Sequence, residues 1–500
     1  MRIGTQSCLS RNPSVRYLIT AALIVVFVTL TGNQRANALP AFARKYGLRC
    51  SACHESWPML NYFGQKFKDN GYQLMNDRDA PIWQNPGYWP VTFRITPIWH
   101  RLSTGKNTED VYSGGVATGA STQTRITSSG FDLSGLDFHT GGTLEKNISF
   151  YVLPSSDPTA TFHFETVMGR LDNLFGSPWL NLKLGRFELD NLLSEKRILT
   201  LTGNGGIYQL YHFLPVGDGN IMGAIGDNQL GLELLGHSND DRTRYSASLL
   251  SSSDGNVNLV TTANAYTGFF TASQAFDAGR MGVQRIGAYA MVGQASTYYP
   301  TAGGVPIAGA GIGNKSFYRA GFVGQFYFGQ HFDLQVVTQH GWDNAWFGQG
   351  YGNAIAVNGN GAAGCITSTG CPANNVPGTV LPTGSQAPTW NGVLFEPHYV
   401  YNPQLIFIGR YEVLRMSRQA NGAGYVAPAT GPTNGFAGPM PSNLGNVSTY
   451  TIGYRYNPFM TSRAGFAWHN EYNWLHTDGI APDGTALNVS ELLIGFDLDF

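Results

Sequence analysis

From Val91 to the last residue the chain repeats short stretches in which apolar and polar side chains alternate. In the final stretch Leu492, Ile494, Phe496, Leu498 and Phe500 share one face, with Glu491, Gly495, Asp497 and Asp499 opposite and Leu493 as an exception. The preceding stretch sets Phe466, Trp468, Tyr472 and Trp474 against His469, Glu471 and Asn473. Residues 317–328 set Tyr318, Ala320, Phe322, Phe326 and Phe328 against Arg319 and Gln325. Period two gives a strand two chemically different faces, one suited to lipid and one to a polar interior.

Sixteen such segments can be placed. Eight fall at 91–101, 131–142, 148–154, 161–170, 180–189, 228–237, 243–252 and 267–276. Eight more fall at 281–296, 316–328, 332–341, 390–400, 405–416, 447–456, 463–475 and 487–500. Alternate connections are short: Glu145–Asn147, Ser238–Arg242, Gly329–His331, Tyr401–Gln404 and Asn457–Ser462, two of them with Asn-Pro turn signals. Those between are mostly long, as in Leu102–Gly130, Asp190–Asp227, Trp342–Thr389 and Ser417–Asn446; 155–160 is a short exception. Short periplasmic turns, long outer loops and an even strand count are the pattern of an outer-membrane barrel. The expected fold is therefore all-β: an antiparallel barrel of about sixteen strands over 90–500, surrounded by outer-membrane lipid.

Composition agrees. Charged residues make 13% of the chain, against roughly 25% in soluble proteins. Hydrophobic residues reach only 42%, with no run of eighteen apolar residues to make a membrane helix. A net charge of −1 offers nothing to a nucleic acid. The inward face collects Arg94, His163, Glu165, Lys183, Glu233, Arg319, Arg410, Glu412, His469 and Glu471. Their simplest role is to wet and balance the interior; alternation assigns none of them a redox or metal role.

The N-terminus reads as an export signal. Arg2, Arg11 and Arg16 precede the apolar run Tyr17–Leu30, and Ala36-Asn37-Ala38 offers a cleavage site, so residues 1–38 are expected to be removed. That run of fourteen residues is too short to span a bilayer. Of the five cysteines, Cys8 leaves with the signal. Cys365 and Cys371, in a Gly/Asn/Thr/Ser-rich stretch, are expected to form a local disulfide pinning a long loop.

The segment 39–89 has a different texture. Cys50-Ser51-Ala52-Cys53-His54 is a c-type haem attachment motif: two cysteines one helical turn apart meet the vinyl groups, and His54 meets the iron. Zinc would need a second ligand pair, and a thiol redox site would need a βαβ context. One covalent haem c is thus expected on Cys50, Cys53 and His54. Pro58 suits the start of a helix whose Met59, Leu60, Phe63 and Phe67 would shield one haem face, ending at Asn70-Gly71. Arg44, Lys45 and Arg49 suit haem propionates or a solvated surface equally. The sixth ligand stays open among Met75, Met59, His100 and none; Met75 comes first, because a thioether raises the potential.

The stretch Leu39-Pro-Ala-Phe-Ala-Arg-Lys-Tyr-Gly-Leu-Arg-Cys-Ser-Ala-Cys-His54, with Trp57-Pro-Met-Leu-Asn-Tyr-Phe-Gly-Gln-Lys-Phe-Lys68 and Gly71-Tyr72, resembles the fused monohaem cytochrome–porins of the outer membrane. That family includes the iron oxidases of iron-oxidising bacteria. The remaining chain matches in architecture only, and the family's distal ligand finds no counterpart here. The resemblance implies an electron carrier, in the best-known members an Fe(II)-oxidising oxidoreductase. It would take electrons from an extracellular donor and pass them to a periplasmic c-type cytochrome or other acceptor. Termini on the periplasmic side predict that the haem segment plugs the lumen from below. Two rival readings follow: a porin or transport channel whose haem segment is a gate or sensor, and haem catalysis on a small molecule, which needs an open iron position.

Overall fold

The structure, a computed structural model, describes residues 40–56, 59–75, 79–81, 91–113, 116–125, 127–156, 161–189, 228–251, 266–296, 314–343, 389–416, 446–460, 464–477 and 487–499. Sixteen strands close into one barrel in which every strand pairs antiparallel with its neighbours in sequence. The first eight are β1 Val91–Thr104, β2 Thr127–Glu145, β3 Ile148–Ser156, β4 Phe162–Leu171, β5 Asn181–Glu188, β6 Asn228–His237, β7 Thr243–Ser251 and β8 Tyr266–Asp277. The second eight are β9 Val283–Ser296, β10 Asn314–Phe328, β11 Phe332–Asp343, β12 Thr389–Asn402, β13 Leu405–Met416, β14 Val447–Met460, β15 Gly465–Thr477 and β16 Leu487–Asp499. Closure comes where β16 meets β1, with Leu492 opposite Arg101 and Leu498 opposite Ile95. No strand of the barrel has a free edge, so no backbone ladder is left unpaired toward lipid.

Polarity is inverted relative to a soluble protein. Phe131, Phe322, Ile452, Phe164 and Val292 are exposed on the outer wall, whereas Arg319, Arg455, Glu412 and His469 are wholly buried inside. Such an apolar exterior is stable only where lipid solvates it, and among the described residues no helix is long and apolar enough to cross a membrane. Phe328, Phe332, Tyr399, Tyr401 and Phe459 ring the short-turn end of the wall, as interfacial aromatics do.

Two details depart from the expected layout. The stretch expected as the loop Leu102–Gly130 holds a hairpin, Asn107–Ser113 paired with Val116–Thr124, between longer versions of β1 and β2. Its Ser/Thr/Gly-rich sequence has no apolar face, so alternation could not announce it. The turn expected at Asn457–Ser462 is partly strand, because β14 runs on through a bulge between Tyr456 and Phe459. Pro458 sits in that bulge, where a missing N–H costs no ladder bond. The expected Asn402-Pro403 turn stands: the Asn402 side chain accepts from the N–H groups of Gln404 and Leu405 at 2.8 and 2.9 Å. Connection 155–160 and the Cys365–Cys371 pair fall at or within stretches outside the described residues.

Inside the barrel lies the N-terminal segment: α1 Pro40–Tyr46, α2 Cys50–Cys53 and α3 Tyr62–Asp69. A short ladder pairs His54 with Leu60 and Ser56 with Met59 between α2 and α3.

Candidate functional site

The Cys50–His54 motif begins on a single helical turn. Helix α2 spans Cys50–Cys53, which sets the two cysteines at positions i and i+3, and His54 follows in extended backbone. The His54 side chain is buried. Burial also pushes the Cys53 thiol up to about 11.

Helix α3 does not start at Pro58. Its N-cap is Asn61, whose side-chain oxygen accepts from the Gly64 N–H at 2.9 Å while its amide donates to the Ala52 carbonyl at 3.1 Å. One residue thus caps α3 and ties it to α2, which a proline cannot do. The expected apolar stripe breaks up accordingly: Met59 and Leu60 lie in the short ladder, Phe63 is exposed, and only Phe67 is a buried part of the helix. The stop at Asn70-Gly71 is as expected, with Gly71 in the left-handed region at φ 70°.

Gly64 permits the close approach of α3 to the motif. A Cβ placed there would lie 2.0 Å from the Cys53 carbonyl oxygen. Because the clash is with backbone, Gly64→Ala is expected to push α3 off the motif turn at a cost of about 1–3 kcal/mol. Limited proteolysis of the segment at increasing urea measures it; an unchanged midpoint would show that the turn has room.

The segment is fastened to the wall by ions. Arg244 on β7 grips Asp69 at the end of α3 through two contacts of 2.7 Å. Arg170 on β4 donates to the Lys68 and Asp69 carbonyls at 2.8 Å each, satisfying helix-end acceptors that lack partners within the helix. Lys68 pairs with Glu188 on β5 at 3.1 Å. Near the short turns, Tyr62 donates to the Asp240 carbonyl. Arg44 and Lys45, expected at propionates or on a solvated surface, bond wall atoms: the Val91 carbonyl at 2.7 Å and the Thr143 hydroxyl at 2.9 Å. Arg49 is exposed.

Asp241, in the turn below this lock, faces Asp69, Arg244 and Arg285 and lies close to His237. Burial first, then the Asp69 carboxylate, raise Asp241 to about 8 from an ordinary 3.8. A folded value above the unfolded one means the fold holds this proton more tightly. The stability it contributes is complete below about pH 4 and is lost as pH rises through about 8. The segment's protease resistance is therefore expected to fall between pH 5 and about 8.5, and Asp241→Asn is expected to flatten that fall. A wild-type profile with no slope would contradict the assignment.

Beside His54, Glu55 accepts from Tyr327 at 2.6 Å, and burial with the nearby Asp333 carboxylate raises it to about 7. Asp333 and Glu396 hold the two ring nitrogens of His398 at 2.7 and 2.9 Å, and Arg410 pairs with Glu396 at 2.6 Å. A second inward group joins Arg94 to Asp497 and Asp137 at 3.1 and 3.2 Å, with Arg455 also on Asp497. Of the residues expected inside, Lys183 pairs with Glu233, His469 with Glu471, and Arg319, Arg410 and Glu412 are buried; Glu165 is half-buried and His163 exposed. No group of three His, Cys, Asp or Glu side chains among the described residues is arranged to hold a metal ion.

The sixth-ligand candidates are placed differently. Met75 has a left-handed backbone and is half exposed. Met59 is wholly buried against Ile406 and Ile408, its sulfur accepting from Gln335 at 3.0 Å, which makes it a packing residue. His100 is on β1, with Nδ1 3.5 Å from Glu491.

No protein-family model matches the chain, and no curated protein does. Among solved structures the chain is similar to the outer-membrane channel DcaP of Acinetobacter baumannii, at 10% identity and TM-score 0.43, covering 82% of this chain and 97% of that one. It is similar to an anion-selective porin from Comamonas acidovorans at 11% identity and TM-score 0.44, covering 82% and 99%. It is also similar to OprB of Pseudomonas putida at 10% identity and TM-score 0.42, covering 90% and 99%.

Proposed function

We propose that the chain is an outer-membrane electron relay, carrying electrons from an extracellular donor through one covalent haem c to a periplasmic cytochrome or other acceptor. The observation that carries this reading is the motif turn enclosed within a membrane barrel, with His54 buried and α3 clamped to the wall by Arg244, Arg170 and Glu188. Bound at Cys50, Cys53 and His54, a haem c would supply a one-electron couple. The chain's own residues do the rest. Asn61 and Gly64 fix the motif turn against α3, and the ion pairs fix α3 to the barrel, so the site has one position relative to the membrane. Fe(II) is the donor that the sequence resemblance suggests.

The second reading, a solute channel gated by the segment, draws on the sixteen-stranded barrel itself. A gate must move, however, and this segment is held by buried charges whose separation is costly. Anaerobic stopped-flow absorbance of the haem-loaded protein with Fe(II), followed by a soluble c-type cytochrome, separates the readings. Rapid reduction and then reoxidation is expected. A haem that stays ferric with Fe(II) but is reduced by dithionite would remove iron as the donor.

A further inference from the structure

The inner wall of this barrel is polar only in part. Toward the long-loop end, inward positions on successive strands are apolar and buried, among them Phe269 at 0% exposure, Phe317 at 1% and Leu414 at 0%. Register sets apolar residues directly opposite each other across several strand pairs, Phe269 with Met291, Leu414 with Val447 and Leu475 with Val489, in a collar that the buried Arg319, opposite Met291, and Thr449, opposite Leu475, interrupt. The six apolar residues belong to one contiguous buried cluster. The charged groups of Asp333, Glu396, Arg455 and Asp497 occupy the layer nearer the short turns.

The N-terminal segment contributes to the same cluster. Tyr46, Phe67 and Tyr72 are buried members of it. Phe42 stacks on Tyr72 at 5.1 Å, and Tyr72 meets Tyr151 of the wall at 5.8 Å. Wall and plug thus join in one apolar cluster, which the plug's aromatics enter beside Tyr151, near the short-turn end of its strand. A lumen that conducts solute needs groups that hydrate ions along its length, and an apolar constriction excludes water and blocks ions without any moving part.

We propose that this cluster is a dry septum that seals the barrel to water and ions, so that the protein passes no solute in its resting state. The proposal rests on the barrel spanning a membrane and not on the haem. A chain that takes up no haem would defeat the relay and leave the septum testable.

The test is ion conductance of the full-length mature protein in planar bilayers bathed in potassium chloride. The wild type is expected to show no conductance steps. The triple variant Phe269→Ser, Leu414→Ser, Leu475→Ser, checked for folding by its heat-dependent gel mobility, is expected to raise potassium leak at least tenfold. Conductance steps in the wild type would overturn the septum. So would a folded triple variant as silent as the wild type, which would assign the block to the plug alone. A gentler variant guards against misfolding: Val447→Cys, labelled with a charged thiol reagent over the background of the parent chain. Labelling at under a tenth of the rate of Asn239→Cys, in an exposed turn, is expected. Equal rates would show that water reaches the collar.

Discussion

Replacing both Cys50 and Cys53 with alanine is expected to leave a folded barrel that carries no covalent haem. The loss should be complete on a haem-stained denaturing gel, whereas each single variant should keep one thioether. The expectation rests on geometry that the barrel does not need: α2 is four residues long and belongs to the plug, not to any strand. His54→Ala differs in kind. Both thioethers remain, but the proximal nitrogen is gone, so the absorbance spectrum should change while the gel stain persists. If the double variant stains as strongly as the wild type, Cys50 and Cys53 are not the attachment residues.

Arg244→Ala is expected to unfasten the plug. It removes both contacts to Asp69 and leaves a buried carboxylate beside Asp241 without its main counter-charge. Breaking one partner of a buried pair costs about 3–5 kcal/mol, far more than an exposed pair. The loss should fall on the plug, since Arg244 faces the lumen and the β7 ladder does not use its side chain. Protease should then cut the N-terminal segment at lower denaturant while the barrel keeps its heat-dependent mobility. A shift below about 1 kcal/mol would mean that the apolar cluster of Phe67 and Tyr72, not the ion pair, holds the plug.

Much of this fold was legible in the sequence because a barrel strand repeats its chemistry every two residues. β6 and β13 begin and end where alternation placed them, at 228–237 and 405–416. The motif Cys50–His54 was legible because its spacing is local. What stayed hidden is long-range or locally ambiguous. Asp69 and Arg244 are 175 positions apart, and no pattern within either neighbourhood links them. Asn61 outcompeted Pro58 as the helix start because its side chain also reaches Ala52, a contact that exists only once α2 is folded. The collar left little trace in the alternation: Leu475 follows Glu471 and Asn473 on the inward face, and only register sets it opposite Val489 of the next strand.

The most direct test of the relay is electron transfer across a sealed vesicle. Proteoliposomes would carry the haem-loaded barrel, a trapped c-type cytochrome as acceptor, and a membrane-impermeant reductant outside. The expected result is reduction of the trapped cytochrome by the wild type and none by the double variant lacking Cys50 and Cys53. Equal reduction by both proteins would mean that reductant leaks through the barrel, and haem reduction without reduction of the trapped acceptor would mean that the site does not connect the two sides.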